Sequence, residues 1–104
     1  MRIFRARNMR IGRISEVGRI YLITTTTLNR HPIFADWRIG RLVVREMALE
    51  EANGNAQSIA WVLMPDHLHW LVELRSASLS ALIQRVKSRS TRVINQVSLG
   101  KRTC

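Results

Sequence analysis

Hydrophobic positions follow two different periods along the first half of this chain. Residues 20–27 are rich in β-branched and aromatic side chains, which favours a β-strand. From residue 37 to about residue 52, apolar positions recur every three or four residues, which predicts one buried stripe of a helix. The stripe consists of Ile39, Leu42, Val43 and Met47. Asp36 is placed to cap this helix, and Asn53 and Gly54 can supply the left-handed residue that ends it.

The pattern in the second half predicts a hairpin followed by another helix. Residues 58–64 form an almost continuous apolar run, which is typical of a short strand buried on both faces. Pro65 and Asp66 then make a tight connection to a second strand at residues 67–74. The loop at residues 76–78 contains serines that can cap a final helix. The core-facing stripe of that helix consists of Leu79, Leu82, Ile83, Val86, Val93, Ile94 and Val97.

The resulting order, β-α-β-β-α, predicts an α+β domain of the ferredoxin-like split βαβ type. We expect an antiparallel sheet with the helices on one face. Such a unit normally closes with a fourth strand, and no fourth strand is predicted here, so we expect it to be C-terminally incomplete. The domain is expected to span residues 18–97, between a basic N-terminal arm at residues 1–17 and a disordered tail at residues 98–104.

The net charge says more about the partner of this domain than its length and hydrophobic content do. The chain has 104 residues, of which 46% are hydrophobic, which suits one small folded domain. Its 17 lysines and arginines against 7 acids give a formal net charge of +10, and 15 of these cations are arginine. This charge predicts a polyanionic partner, with nucleic acid first and a membrane surface second.

Several other classes are excluded by the same composition. No apolar run approaches the roughly 20 residues that a membrane-spanning helix needs. A single cysteine, Cys104, excludes an internal disulfide framework and a multi-cysteine zinc site. The sequence has neither of the common phosphate-binding glycine loops and no G-x-S-x-G elbow. We therefore expect a cytoplasmic protein that is not bound to a membrane.

Arginine is dense at the N-terminus, where no acid occurs before Glu16. A flexible arm of this composition can contact DNA phosphates, and we expect Arg7, Arg10 and Arg13 to do so. An unstructured, solvated leader fits the same composition. A transit peptide is also basic, but it is usually rich in serine as well.

His67 and His69 form the sharpest candidate site. At positions i and i+2 of a strand, their side chains project from the same face with Cα atoms about 6.5–7 Å apart. Two imidazoles at that spacing can converge on one metal ion. An ordinary pair of exposed or hydrogen-bonded histidines has the same spacing, and no third ligand is evident beside them.

The final helix carries a second constellation, opposite its apolar stripe. Arg85, Arg89 and Arg92 lie at i, i+4 and i+7, with Lys87 between them. Like charges stacked in this way destabilise an isolated helix, and a phosphate backbone would relieve the repulsion. A merely solvated basic face is the alternative. The overall charge favours nucleic acid as the partner of these four residues.

Catalytic nucleophiles are harder to find. Tyr21 is the only tyrosine, and its place in the first predicted strand favours a packing role. We assign no catalytic residue from the sequence.

Residues 64–74 resemble a known family. The run MPDHLHWLVEL is similar to the M-P-[ND]-H-x-H motif of the single-tyrosine HUH transposases of bacterial insertion sequences, above all the REP-associated tyrosine transposases. Residues 18–24 are similar to the family's first strand, and residues 32–34 to the segment before its first helix. Residues 79–95 resemble its second helix, so the resemblance extends over residues 18–96.

The resemblance implies a function and a mechanism. His67 and His69 would help to hold a divalent metal, Mg²⁺ or Mn²⁺, at the scissile phosphate of single-stranded, hairpin-forming DNA. In the family, a tyrosine hydroxyl attacks this phosphate and forms a 5′-phosphotyrosine link that conserves the bond energy for rejoining. Family members act as homodimers, and we expect the same here.

One departure from the family pattern stands out. The family's nucleophilic tyrosine lies on a later helix, and Tyr21 matches its first-strand tyrosine instead. We therefore expect a chain truncated before the nucleophile, which cannot cleave DNA alone. A non-catalytic DNA- or RNA-binding module derived from a transposase is the alternative. A degenerate product that does not fold stably is a further one.

Overall fold

The computed structural model describes residues 3–4, 16–76 and 78–103, with the backbone alone for the last six. Its main elements, in chain order, are β1 (Ile20–Thr26), α1 (Trp37–Ala52), β2 (Ala56–Met64), β3 (His67–Leu74) and α2 (Leu79–Thr103). Two short 3-10 turns, Leu28–Arg30 and Ile33–Ala35, connect β1 to α1. The predicted order β-α-β-β-α is confirmed.

The three strands form one antiparallel sheet in the order β1-β3-β2. β3 is central. Its even-numbered side chains face the core, and its odd-numbered side chains face the other side of the sheet. Leu68, Trp70, Val72 and Leu74 are buried in one core with residues of α1 and α2. The α+β fold with an antiparallel sheet and both helices on one face is therefore confirmed.

The opposite side of the sheet is its open face, formed by alternate residues of the three strands. Its polar members include Thr24, Thr26, His67 and His69, and its apolar members include Ile20, Leu22, Val62 and Met64. Those four apolar side chains are 41–65% exposed. The prediction that β2 is buried on both faces is therefore wrong. β2 is an edge strand, and a short apolar run looks the same in sequence whether one or both of its faces are covered.

The termini of α1 are as predicted. The Asp36 carboxylate accepts a hydrogen bond from the Arg38 backbone N–H at 3.0 Å, which is an N-cap. At the other end, Gly54 adopts a φ of +78°, the left-handed geometry that ends the helix. Val43 and Met47 are buried as expected.

α2 also begins as predicted and ends later. The Ser78 hydroxyl oxygen accepts a hydrogen bond from the Ala81 N–H at 3.1 Å and caps the first turn. The backbone remains helical through Thr103, so the predicted disordered tail at residues 98–104 is corrected over residues 98–103. Gly100 costs only about 1 kcal/mol in a helix interior, and extending an existing helix requires no new nucleus.

Two residues of the predicted N-terminal arm belong to the core. Ile3 and Phe4 are buried, and Phe4 forms an isolated antiparallel bridge with Thr27 at the end of β1. The Phe4 ring lies 5.9 Å from that of Phe34, centroid to centroid. The sequence did not predict this, because two apolar residues in a run of arginines have no periodicity. No helix in the described part of the chain is long and apolar enough to cross a membrane.

Candidate metal centre and basic surface

The alternation of β3 brings the two predicted metal ligands to one place. Leu68 and Trp70 point into the core, so His67 and His69 both project from the open face. Their ring centroids lie 4.8 Å apart, and the ring planes are nearly perpendicular at 82°. The sequence-based expectation that the two imidazoles share a face is therefore confirmed in the fold.

Each imidazole is oriented through its Nδ1 atom. His67 Nδ1 lies 2.7 Å from Asp66 Oδ1, and the ionised carboxylate accepts a hydrogen bond from it. His69 Nδ1 lies 3.0 Å from the hydroxyl oxygen of Thr24, which is its register partner on β1. In the tautomer that donates Nδ1–H to these oxygens, the Nε2 lone pair of each ring is available for a metal, as in carboxylate–histidine–metal arrangements.

A second side chain supports the Asp66 carboxylate from the 3-10 turn after β1. Arg30 Nε donates to Asp66 Oδ2 at 2.8 Å, while Oδ1 faces His67. The hydrogen bond from Arg30, and after it the one from His67, lowers the pKa of Asp66 to about 2. Asp66 is therefore ionised at neutral pH and acts as an orienting group. The sequence had placed it only as a turn residue, and it carried no signal for Arg30 or Thr24.

The donor set fits part of a metal site. Among the residues that the structure describes, no group of three or more histidine, cysteine or acidic side chains could hold an ion. One unsatisfied polar atom lies beside the histidines: the buried hydroxyl of Thr26, the register partner of His67, has no hydrogen-bond partner among the described residues. Two oriented imidazoles therefore fit a divalent ion whose other ligands come from substrate or solvent.

The four cations predicted on α2 have different environments. Arg85 donates from Nε and Nη2 to Glu50 Oε1 of α1, at 3.0 and 2.7 Å. Asn55 donates to the same oxygen at 3.0 Å. Burial by itself raises the pKa of Glu50, but these hydrogen bonds outweigh it and lower the pKa. Arg85 thus ties α1 to α2, a role that its place in a basic stripe did not predict.

The other residues predicted to bind nucleic acid have fewer contacts within the described part of the chain. The Lys87 ammonium lies 6.0 Å from the centre of the Phe4 ring, and desolvation lowers its pKa to about 8. Arg89 and Arg92 are exposed on α2. Arg7, Arg10 and Arg13 lie outside the described residues. The structure therefore leaves Arg89 and Arg92 as the exposed part of the predicted basic face.

Comparison with known proteins identifies the family. Residues 17–103 match the family model described as transposase, IS200 like. The chain belongs to the IS200-like transposase family. A search of curated proteins found no significant match.

Two solved structures show the same fold as this IS200-like transposase chain. One is a REP-associated tyrosine transposase bound to a REP hairpin, with a TM-score of 0.68, 17% identity and 84% of this chain covered. The other is a putative transposase from Deinococcus radiodurans R1, with a TM-score of 0.65, 22% identity and 86% of this chain covered. The matches cover 53% and 68% of those two chains, so this chain spans about half the length of the first.

Tyr21 lies away from the histidines of this transposase domain. Its register partner is Val72, a buried residue on the helix side of the sheet. The phenol oxygen accepts a hydrogen bond from the Glu16 backbone N–H at 2.8 Å, and the ring packs against the core. These contacts give Tyr21 the packing role that the sequence predicted, on the face opposite His67 and His69.

Proposed function

We propose that this transposase-family domain binds hairpin-forming single-stranded DNA and presents its reacting phosphate to a divalent metal held by His67 and His69. The observation that carries the proposal is the orientation of both imidazoles through Nδ1, by Asp66 and Thr24. A pair of merely solvated histidines has no need of two oriented partners. Family membership supports a role in DNA transposition.

When bound, a divalent ion such as Mg²⁺ or Mn²⁺ would supply Lewis-acid polarisation of a phosphoryl oxygen. His67 and His69 would present their Nε2 atoms on the open face, and Asp66 would keep the first ring in one tautomer. Because Tyr21 faces the other side of the sheet, we propose that it is not the nucleophile of strand cleavage. In this proposal the described residues provide the metal-binding part of the active site and not its nucleophile.

DNA binding is supported by charge and by one structural neighbour. The formal net charge of +10 favours a polyanion, and neutralising phosphates releases counterions. Arg89 and Arg92 are exposed on α2 and would contact the backbone, together with the N-terminal Arg7, Arg10 and Arg13. The structural neighbour that was solved with a REP hairpin makes a DNA hairpin the first substrate to test.

We also propose that the chain forms a homodimer. The exposed side chains of Ile20 and Leu22 on β1 pair in register with Glu73 and Leu71, away from His67 and His69, and make this end of the open face apolar. Exposed apolar patches of this kind mark contact surfaces more often than free ones.

The metal part of the proposal is tested by titrating Mn²⁺ into a complex of the protein with a DNA hairpin, followed by calorimetry. We expect His67→Ala and His69→Ala each to weaken the apparent Mn²⁺ affinity at least about tenfold, because each removes one ligand. His31→Ala is the matched control, since His31 is exposed and lies outside β3. It should leave the affinity unchanged.

Equal Mn²⁺ affinity in all three variants would contradict the metal site. It would favour the second candidate, a DNA- or RNA-binding module without a metal. One observation favours that module: in the described residues, no group of three histidine, cysteine or acidic side chains is placed to hold one ion together.

A further inference from the structure

A groove lies between α1 and the edge strand β2, on the helix side of the sheet. We call it the tryptophan groove; its volume is about 640 Å³, and its key residues are Trp37, Gly40, Arg41, Arg45, Trp61 and Leu63. Gly40 brings the two elements together, because a Cβ atom there would lie only 2.7 Å from Leu63 Cδ2. A larger residue would force the Leu63 side chain to move, which favours glycine here although it costs about 1 kcal/mol relative to alanine inside a helix.

The groove exposes two tryptophans that the core does not use. Trp37 on α1 is 65% exposed and Trp61 on β2 is 46% exposed, whereas Trp70 is buried. Tryptophan is among the most buried residues on average, and two exposed rings in one groove leave large flat apolar surfaces in water. Such surfaces suit a flat ligand that stacks on them.

The charge around these rings is positive. The Arg41 guanidinium lies 5.4 Å from the centre of the Trp37 ring, and Arg45 follows one helical turn later. Arg38 is neutralised by Asp36, but neither Arg41 nor Arg45 has a carboxylate partner within the described ranges. None of the described residues that line the groove is acidic. The occupant must therefore combine flat apolar groups with negative charge.

Unpaired nucleotides have both properties, since each base offers a flat face and each phosphate a negative charge. A second copy of this chain fits this groove poorly, because its 7 acidic residues against 17 lysines and arginines offer little of the negative charge that the groove needs. We propose that the tryptophan groove binds unpaired nucleotides of a single-stranded DNA segment, with bases stacked on Trp37 and Trp61 and phosphates on Arg41 and Arg45. This inference rests on the proposed DNA-binding function and adds a second contact to it.

The groove and the histidines lie on opposite faces of the sheet. Trp61 pairs in register with Trp70, which points to the helices, whereas Val62 pairs with His69. A DNA strand would pass around the free edge of β2 to reach both. The nucleotides in the groove would therefore be flanking nucleotides, distinct from the one whose phosphate faces the histidines.

The test compares three DNA probes by fluorescence anisotropy: a blunt hairpin, the same hairpin with a ten-thymidine flank, and the hairpin with an abasic flank. We expect the wild-type protein to prefer the thymidine flank over the abasic flank. Trp37→Ala and Trp61→Ala should each weaken binding of the thymidine probe by about five- to tenfold, the low end of measured base stacking, and leave the abasic probe unchanged. Trp37→Phe and Trp61→Phe should restore most of the loss, because phenylalanine also stacks.

Leu49→Ala is the control, because Leu49 is an exposed apolar residue of α1 outside the groove. Photo-cross-linking of the wild-type protein is a second test that needs no substitution. A 5-iododeoxyuridine base in the flank should cross-link to peptides containing Trp37 or Trp61. Cross-links found only elsewhere would overturn the inference. Equal affinity of the wild type for all three probes would also overturn the inference. Hairpin binding, and with it the proposed function, would then still stand. Failure to bind any probe would instead overturn the proposed function together with this inference.

Discussion

The carboxylates of Glu50 and Asp66 are both held by arginine, and their surroundings differ. Glu50 is almost fully buried between α1 and α2, with Arg85 and Asn55 on one of its oxygens. Asp66 lies at the hairpin turn with its side chain 26% exposed, and it divides its two oxygens between Arg30 and His67. The buried Glu50 carboxylate joins the two helices, whereas the partly exposed Asp66 carboxylate has an oxygen left to orient a candidate metal ligand.

The cause of each pKa shift shows the same difference. For Glu50, burial opposes the charge, and the arginine is needed to overcome that cost. For Asp66, the hydrogen bond from Arg30 is the largest influence, and burial opposes it less. We therefore expect that disrupting the Glu50 cluster, with Arg85 and Asn55, mainly changes the free energy of unfolding. Disrupting the Asp66 cluster, with Arg30 and His67, should mainly change metal binding.

The largest expected effect is that of Arg85→Ala on stability. The substitution leaves the Glu50 charge buried without its main partner, and we expect a loss of about 3 kcal/mol in the free energy of unfolding. This is the low end for buried pairs, because the Arg85 side chain is 32% exposed. Urea denaturation measures the loss. The matched control is Arg92→Ala on the exposed side of the same helix, with an expected change within about 0.5 kcal/mol. Equal losses in both variants would remove the distinction between the two clusters.

A smaller effect in a different quantity is expected from Asp66→Asn. The amide no longer favours protonation of His67 at Nδ1, so we expect Mn²⁺ affinity in the DNA complex to fall about tenfold, the low end for outer-shell partners. Calorimetry measures the affinity. Urea denaturation at neutral pH should show a smaller loss of stability than Arg85→Ala, because Asp66 lies at a partly exposed turn. Glu73→Gln, on the same strand and away from Asp66, serves as the control. A large loss of stability with unchanged metal affinity would reverse the roles that we assign to the two carboxylates.

The smallest effect concerns acid pH. Both carboxylates have a pKa below the ordinary value in the folded state, so the unfolded chain takes up protons first as the pH falls. Their contribution to stability is present above the unfolded pKa and is lost as the pH falls through the folded one. Urea denaturation between pH 6 and pH 2 should show the loss from Glu50 beginning below its ordinary value of 4.5 and that from Asp66 between 3.8 and about 2. Glu50→Gln should remove the first part and Asp66→Asn the second. An unchanged pH profile in both variants would contradict these assignments.

Much of the fold could be predicted because its signals are local. The capping carboxylate of Asp36, the left-handed Gly54 and the alternation of residues 67–74 each act within a few positions of the chain. The shared face of His67 and His69 follows from the two-residue period of a strand. The prediction that β2 is buried on both faces failed because burial depends on what covers a strand, and an apolar run does not report that.

The orienting partners of the histidines were beyond sequence reasoning. Thr24 meets His69 only through the antiparallel register of β1 and β3, across 45 positions of the chain. Arg30 reaches Asp66 from a turn with a φ of +56°, a geometry that arginine seldom adopts and that no local signal marked. The groove between Trp37 and Trp61 likewise needed the packing of α1 against β2.

By itself, the sequence determined the order of the elements, the faces of its helices and β3, and the shared face of the two histidines, because periodicity and capping are short-range. Tertiary structure alone decided which charges are paired and which are free. Arg85 and Arg92 belong to the same sequence stripe, yet one is tied to Glu50 and the other is exposed. The physical reason is that the energy of a charge depends on its desolvation and its neighbours, and both are set by segments distant in the chain.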